Sequence, residues 1–279
     1  APSVLTFRAS SLLPDVWKKR GAVGEPGPRG VPARPRRAAG GPVSVRPEPR
    51  GDPRAELLRF FIEVGALQFG SFTLRNGRVS PYFFNSGRFQ TGAHLARLGE
   101  HYAAAIERVA PRATIVFGPA YKGIPLCVSA SMALSRRSGR EIGYLFNRKE
   151  AKTHGDAGRF VGREPRPGQG DRLVLVDDVL TDGATKREAV ELLRSAFEAP
   201  IDALVIAFNR MESDAAGEDA VARFEAATGV PVVPLLTVAE LEAALAEGLG
   251  WPSDAPRPGP AVLEALRAYR RRYGVGAAP

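Results

Sequence analysis

The chain has 279 residues, 44% hydrophobic and 25% charged, with a formal net charge of +9. That length accommodates one sizeable core and a globular composition, while no apolar run approaches the ~20 residues that span a bilayer. One cysteine, Cys127, excludes an internal disulfide framework and suits a reducing, cytoplasmic setting.

The basicity is local. Residues 1–50 carry ten basic against three acidic side chains, +7, and the remainder 29 against 27, +2. Residues 1–52, rich in Pro, Arg and Gly, bury too little apolar surface to offset their ordering entropy. They are expected to be a disordered basic extension ahead of a folded domain at 53–279. An overlong start, a transit peptide and an RNA-binding arm are the other readings of that composition.

Pro53 suits a first helical turn, and Leu57, Leu58, Phe61 and Ile62 form a helical stripe. A hairpin is expected around Asn76–Gly77. Beyond it Ser80 to Asn85 is extended, with Tyr82, Phe83 and Phe84 either core or a flat wall for a planar ring. A helix over 95–109 leads to a buried strand, 114–117, which runs into Gly118-Pro119-Ala120-Tyr121-Lys122-Gly123 and a helix over 126–135. Cys127, among Leu126, Val128 and Ala130, reads as a buried structural thiol.

A strand over 141–146 precedes the segment from Asn147 to Gly158, dense in Arg148, Lys149, Lys152 and His154. Charge runs are usually solvated loops, but beside phosphate-binding turns this one would make a lid. Strand 201–208 ends at Asn209-Arg210. A helix over 213–227, a strand over 230–236, and helices over 237–246 and 260–273 complete the chain. Strands alternating with helices indicate an α/β fold with a mostly parallel, doubly wound sheet.

The chemistry centres on residues 172–193. Leu173 to Val176 read as a strand buried on both faces, closed by Asp177 and Asp178. Then come Val179, Leu180 and the turn Thr181-Asp182-Gly183-Ala184-Thr185, opening a helix. Backbone N–H groups of such a turn converge on an anion. Neighbouring strand residues point to opposite sides, so the two acids can embrace sugar hydroxyls or attract a hydrated Mg²⁺. Phosphate plus polyol means a ribose phosphate. The bland alternative is an acid pair that caps a helix. His94, His101 and His154 have no clustered partners, so no protein-ligated metal is expected.

This stretch resembles the diphosphoribosyl-binding motif of type I phosphoribosyltransferases. Five motifs in order resemble the bacterial orotate phosphoribosyltransferases: FTLRNGRVSPYFFNSG from Phe72, GPAYKGIP from Gly118, FNRKEAKTHG from Phe146, VLVDDVLTDGAT from Val174, and Asn209-Arg210. The resemblance covers roughly residues 54 to 275. It implies that fold with a small N-terminal hood lobe, and transfer of ribose 5-phosphate from phosphoribosyl pyrophosphate (PRPP) to orotate, with Mg²⁺ held by pyrophosphate.

It further implies that Arg75, Tyr121, Lys122 and the stretch Asp177 to Thr185 bind PRPP. Phe83, Phe84, Thr181 and Arg210 would take orotate, and a non-proline cis peptide is expected at Ala120–Tyr121. Arg148, Lys149, Lys152 and His154 would meet the charge growing on departing pyrophosphate. The lid of one subunit would serve the other in a homodimer. Arg75 stands where the family commonly has lysine. Asp182 puts a carboxylate beside the phosphate site, an expected change in affinity. A non-catalytic PRPP sensor with a nucleic-acid-binding arm, and a transferase for another base, are the competing readings.

Overall fold

The structure is a computed structural model that describes residues 52–74, 76–149, 158–181, 183–213, 217–252 and 258–275. The expectations for residues 1–51 and for Arg75, Lys152, His154 and Asp182 lie outside these.

Helix α1 (Pro53–Glu63) starts where the sequence placed it, because Asp52 accepts the Arg54 N–H at 3.0 Å and Pro53 occupies the first turn. Strands β1 (Leu67–Thr73) and β2 (Val79–Phe84) pair antiparallel. The Leu74 N–H donates to Arg78 O at 2.8 Å and the Gly77 N–H to Leu74 O at 2.9 Å, closing the expected hairpin. This two-stranded sheet is separate from the main one and is the hood.

The main sheet comprises β3 (Ile115–Phe117), β4 (Gly143–Asn147), β5 (Phe160–Gly162), β6 (Leu173–Val179), β7 (Ile201–Asn209) and β8 (Val232–Thr237). Its order is β5-β4-β3-β6-β7-β8, all parallel except the edge strand β5. The helices are α2 (Gly92–Val109), α3 (Gly123–Ser138), α4 (Ala184–Ala196), α5 (Ala220–Thr228), α6 (Val238–Glu247) and α7 (Pro260–Tyr273).

Both faces of the sheet are buried, as the unbroken aliphatic runs required. Val116, Val174, Val176 and Val205 enter one core with α1, α2, α3, α6, α7 and the hood. Their alternates Ile115, Phe117, Leu173, Leu175, Leu204 and Ile206 enter a second core with α4 and α5. At roughly 1.5–3 kcal/mol per buried side chain, these two layers carry the stability. Ion pairs at the strand ends can therefore serve chemistry.

Several boundaries differ from the expected ones. Helix α2 begins three residues early because Thr91 accepts the His94 N–H at 3.1 Å. Strand β1 begins at Leu67, well ahead of the Asn76–Gly77 turn by which the hairpin was expected. The helix expected over 213–227 starts at Ala220, since Asp219 caps it through the Val221 N–H at 2.8 Å and Ser213 bridges to Asp219 instead. Strand β5 was not foreseen. It is three residues long and bonds antiparallel to β4, which makes the cationic segment the connection of a hairpin. The turn at 163–170 is closed by buried Asp171, which accepts from Arg163 at 2.7 Å and from Thr114 Oγ1 at 2.9 Å.

Candidate active site

Strands β3 and β6 are neighbours, yet β3 leads on to β4 on one side and β6 to β7 on the other. The chain thus diverges between β3 and β6. The carboxyl ends of two such strands are the place where ligands enter sheets of this kind. Two of the segments picked out by sequence follow those ends: Gly118–Lys122 follows β3, and Thr181 and Gly183 follow β6.

The alternation that fills the two cores also separates the acids. Asp177, in phase with Leu173 and Leu175, turns toward α4 and meets Lys186 Nζ at 2.7 Å. Asp178, in phase with Val174 and Val176, turns the other way. It accepts Lys122 Nζ at 3.0 Å and the Ser86 hydroxyl. Lys122 also donates to Ser86 at 3.3 Å, so the β3 turn, the end of β6 and the hood converge on one carboxylate.

Burial raises the Asp177 carboxyl above the usual carboxylate range despite Lys186. Burial acts on Asp178 too, but the Ser86 hydrogen bond and the Lys122 charge outweigh it and hold the carboxyl low. Asp178 is the firmly ionised member, suited to accept sugar hydroxyls.

Gly183 is the N-cap of α4 at φ +73°, a left-handed conformation that side chains rarely adopt. Thr181 and Thr185 are exposed beside it. Leu180 is different: its side chain is buried in the second core, so only its backbone faces the turn.

The other turn contains the expected cis peptide at Ala120–Tyr121. Asn147, at the end of β4, accepts the Ala120 N–H at 3.0 Å and braces this turn. Gly118 permits it: a Cβ there would lie 2.1 Å from Gly123 O and 2.9 Å from Cys127 Cβ. We predict that Gly118→Ala destabilises the fold by about 1–3 kcal/mol, the usual cost of overpacking. A urea midpoint unchanged at constant slope would contradict this. Cys127 itself is buried and its thiol is pushed up to about 12 by that burial, as a structural thiol should be.

Of the four cations expected in a lid, Arg148 and Lys149 are described. The Arg148 N–H donates to Arg159 O at 2.8 Å, extending the β4–β5 ladder. Lys149 Nζ lies 4.9 Å from the centre of the Tyr121 ring, so the root of the cationic segment stands against the Gly118–Lys122 turn. Tyr121 is 66% exposed and free to meet a ligand.

The aromatic pair divides. Phe84 is core, stacked on Phe208 at 5.3 Å, whereas Phe83 lies on the opposite side of β2 against Phe72 at 5.5 Å. The two rings cannot form one flat wall, because adjacent strand residues face opposite ways. Arg210, just past β7, is tied to the hood: Nη2 donates to Ser80 Oγ at 2.9 Å and pairs with Glu212 at 2.7 Å.

Ser86, Asn147, Lys186 and Glu212 were not singled out from sequence. Ser86 and Asn147 lie inside the quoted motifs and Lys186 directly follows one, but each of the four acts through a partner distant in the chain or across a turn, which the motif by itself does not identify. An apolar cavity of about 260 Å³ at Leu245, Trp251, Pro260 and Leu263 has no charged side chain in its lining and offers nothing to a phosphate.

No protein-family model matches the chain. Against individual proteins the similarity is extensive. The chain is 42% identical over 222 residues to the orotate phosphoribosyltransferase of Thioalkalivibrio sulfidiphilus, covering 80% of this chain and 98% of that one. With the Methylococcus capsulatus enzyme of the same name it shares 45% over 219 residues, 78% and 96% of the two chains. The chain belongs to the orotate phosphoribosyltransferase family. A solved orotate phosphoribosyltransferase from Francisella tularensis agrees in three dimensions, with a TM-score of 0.66 at 32% identity, over 78% of this chain and 98% of that one. Membership in this family is in keeping with the order of the main sheet and with the paired acids at the end of β6.

Proposed function

We infer that this chain transfers ribose 5-phosphate from PRPP to orotate, yielding orotidine 5′-monophosphate and pyrophosphate in pyrimidine synthesis. One observation carries the reading at the level of residues: Lys122, from the turn after β3, and Asp178, from the end of the neighbouring strand β6, meet at 3.0 Å where the chain diverges. There the Thr181–Thr185 turn takes the 5-phosphate on backbone N–H groups. Asp177 and Asp178 take the ribose hydroxyls, exchanging their lysines for the ligand. Lys122 and Tyr121 face the pyrophosphate.

Displacement at the anomeric carbon builds positive charge on the sugar and negative charge on the departing pyrophosphate. Cations that meet that growing charge lower the barrier more than they tighten ground-state binding. Arg148, Lys149, Lys152 and His154 have this role, and Arg210 receives the carboxylate of orotate. Phe83 rather than Phe84 is the aromatic side chain available to the base.

Mg²⁺ fits the site as a guest of the substrate. Each acid already faces a lysine, and no group of three His, Cys, Asp or Glu residues among those described could hold a metal. Magnesium retains waters and prefers phosphate oxygens with few protein ligands; bound to pyrophosphate it would neutralise the leaving group.

We also propose a homodimer in which the lid of one subunit serves its partner, in the reducing cytoplasm that a single buried thiol suits. Light scattering checks the first point: a fully active monomer would overturn it. Among the described residues no helix is long and apolar enough to cross a membrane.

The direct test of the activity is to follow orotate loss with purified full-length chain, PRPP and Mg²⁺. Turnover that requires all three is expected. Its absence in folded protein overturns the assignment.

A further inference from the structure

Arg210 does not stand alone at the end of β7. Its Nε donates to Glu212 Oε1 at 2.8 Å and its Nη2 reaches the same oxygen at 2.7 Å, so one edge of the guanidinium is held by Glu212. Its face lies 4.2 Å from the Tyr82 ring centre, and Ser80 accepts from Nη2. The Tyr82 hydroxyl donates to the same Glu212 oxygen at 3.4 Å, and burial pushes that phenol far up, keeping it a donor. Arg78 Nη1 approaches the other Glu212 oxygen at 3.7 Å. The guanidinium is thereby fixed along its Nε–Nη2 edge and on one face, and Nη1 is the nitrogen these contacts do not use.

Glu212 is in turn held by the end of the chain. Met211, at φ +49°, turns the backbone after β7. From there Glu212 bridges to Gly274, the Ser213 N–H donates to Tyr273 O at 2.9 Å, and the Val275 N–H donates to Met211 O at 2.8 Å. Arg78 stacks on the Tyr273 ring at 4.5 Å and donates to Ser213 O at 2.9 Å. Residues 273–275 thus form a strap across residues 211–213, next to the hood.

We propose that Glu212, held in place by this C-terminal strap, is a positioning residue that aims Arg210 at the carboxylate of the base and so sets affinity for that substrate alone. The inference rests on Arg210 being the donor that binds the carboxylate of orotate. Without Glu212 the guanidinium regains rotational freedom, and a charge-assisted hydrogen bond from Nη1 to a planar carboxylate tolerates little misalignment. The PRPP groups sit around Asp178 and Lys122, outside this network, and are unaffected.

The test measures KM for orotate and for PRPP, kcat, and thermal midpoint in full-length Arg210→Ala, Glu212→Ala, Glu212→Gln and Tyr273→Leu chains. Glu212→Ala is expected to raise the orotate KM about tenfold or more, with the PRPP KM within roughly twofold. Glu212→Gln keeps an acceptor for Arg210 Nε and should recover part of that loss. Tyr273→Leu loosens the strap and should show the same selective rise at smaller size. An orotate KM unchanged in folded Glu212→Ala, or both KM values rising together, overturns the proposal. If Glu212→Ala does not fold, Glu212→Gln decides alike: a selective rise of about threefold supports it, and no rise overturns it. Arg210→Ala separates the two levels. An unchanged orotate KM there refutes the carboxylate-binding role itself, whereas loss there without loss in the Glu212 variants refutes only the positioning role.

Discussion

Asp178→Asn should lower kcat/KM for PRPP by roughly 10²–10³-fold while leaving the thermal midpoint almost where it was. The carboxylate is the meeting point of Ser86 and Lys122. Hydrogen bonds to a charged group contribute about 1.5–3 kcal/mol each, and the sugar hydroxyls would lose that acceptor as the ring becomes cationic. The fold has little at stake, because Lys122 is 69% exposed and simply returns to water.

Asp177→Asn makes the opposite contrast in stability. Lys186 is only 14% exposed and loses the carboxylate that faces it. Removing one member of a buried pair commonly costs ~3–5 kcal/mol, with roughly 2–4 °C of melting temperature per kcal/mol at this chain size. Steady-state kinetics and thermal melts on both variants check the pair of predictions. Near-wild-type kcat/KM in Asp178→Asn would refute the role of the twin acids as a sugar grip. Equal melting losses in the two variants would refute the division of labour between them.

Lys152→Ala should reduce kcat by about 10²–10³-fold, the range seen when one preorganised donor to a developing charge is removed, with PRPP binding preserved within a few-fold. A lysine in a cationic lid meets pyrophosphate most strongly once the anomeric bond is breaking, so its loss belongs to the transition state. Single-turnover rates alongside equilibrium PRPP binding distinguish the cases. A drop in binding equal to the drop in rate would make the lid a ground-state clamp. A normal rate would remove Lys152 from the chemistry.

Much of this protein is legible one residue at a time. The Asp52-Pro53 start of α1, the Asn76–Gly77 hairpin, the aliphatic runs of β3, β6 and β7, and the turn at Gly183 all declare themselves, since caps, turns and strand runs depend on groups a few positions apart. The motif set named the family for the same reason: each motif is a local backbone shape with its chemistry attached. Misplaced boundaries follow from the same limit. Strand β5 is three residues long and exists because β4 offers it an edge, and α5 starts late because Asp219 is the better cap.

What only the tertiary structure decided is which side chains share a partner. Lys122 and Asp178 are 56 positions apart, Arg210 and Ser80 are 130, and Arg78 and Ser213 are 135. No periodicity links such positions; the sheet order brings them together. The same order decided that Phe84 is core and Phe83 is not, that Lys186 answers Asp177, and that the end of α7 braces the residue behind Arg210. Local chemistry is written along the chain. Convergence depends on long-range packing, which buries two aliphatic faces first and leaves the strand ends to meet.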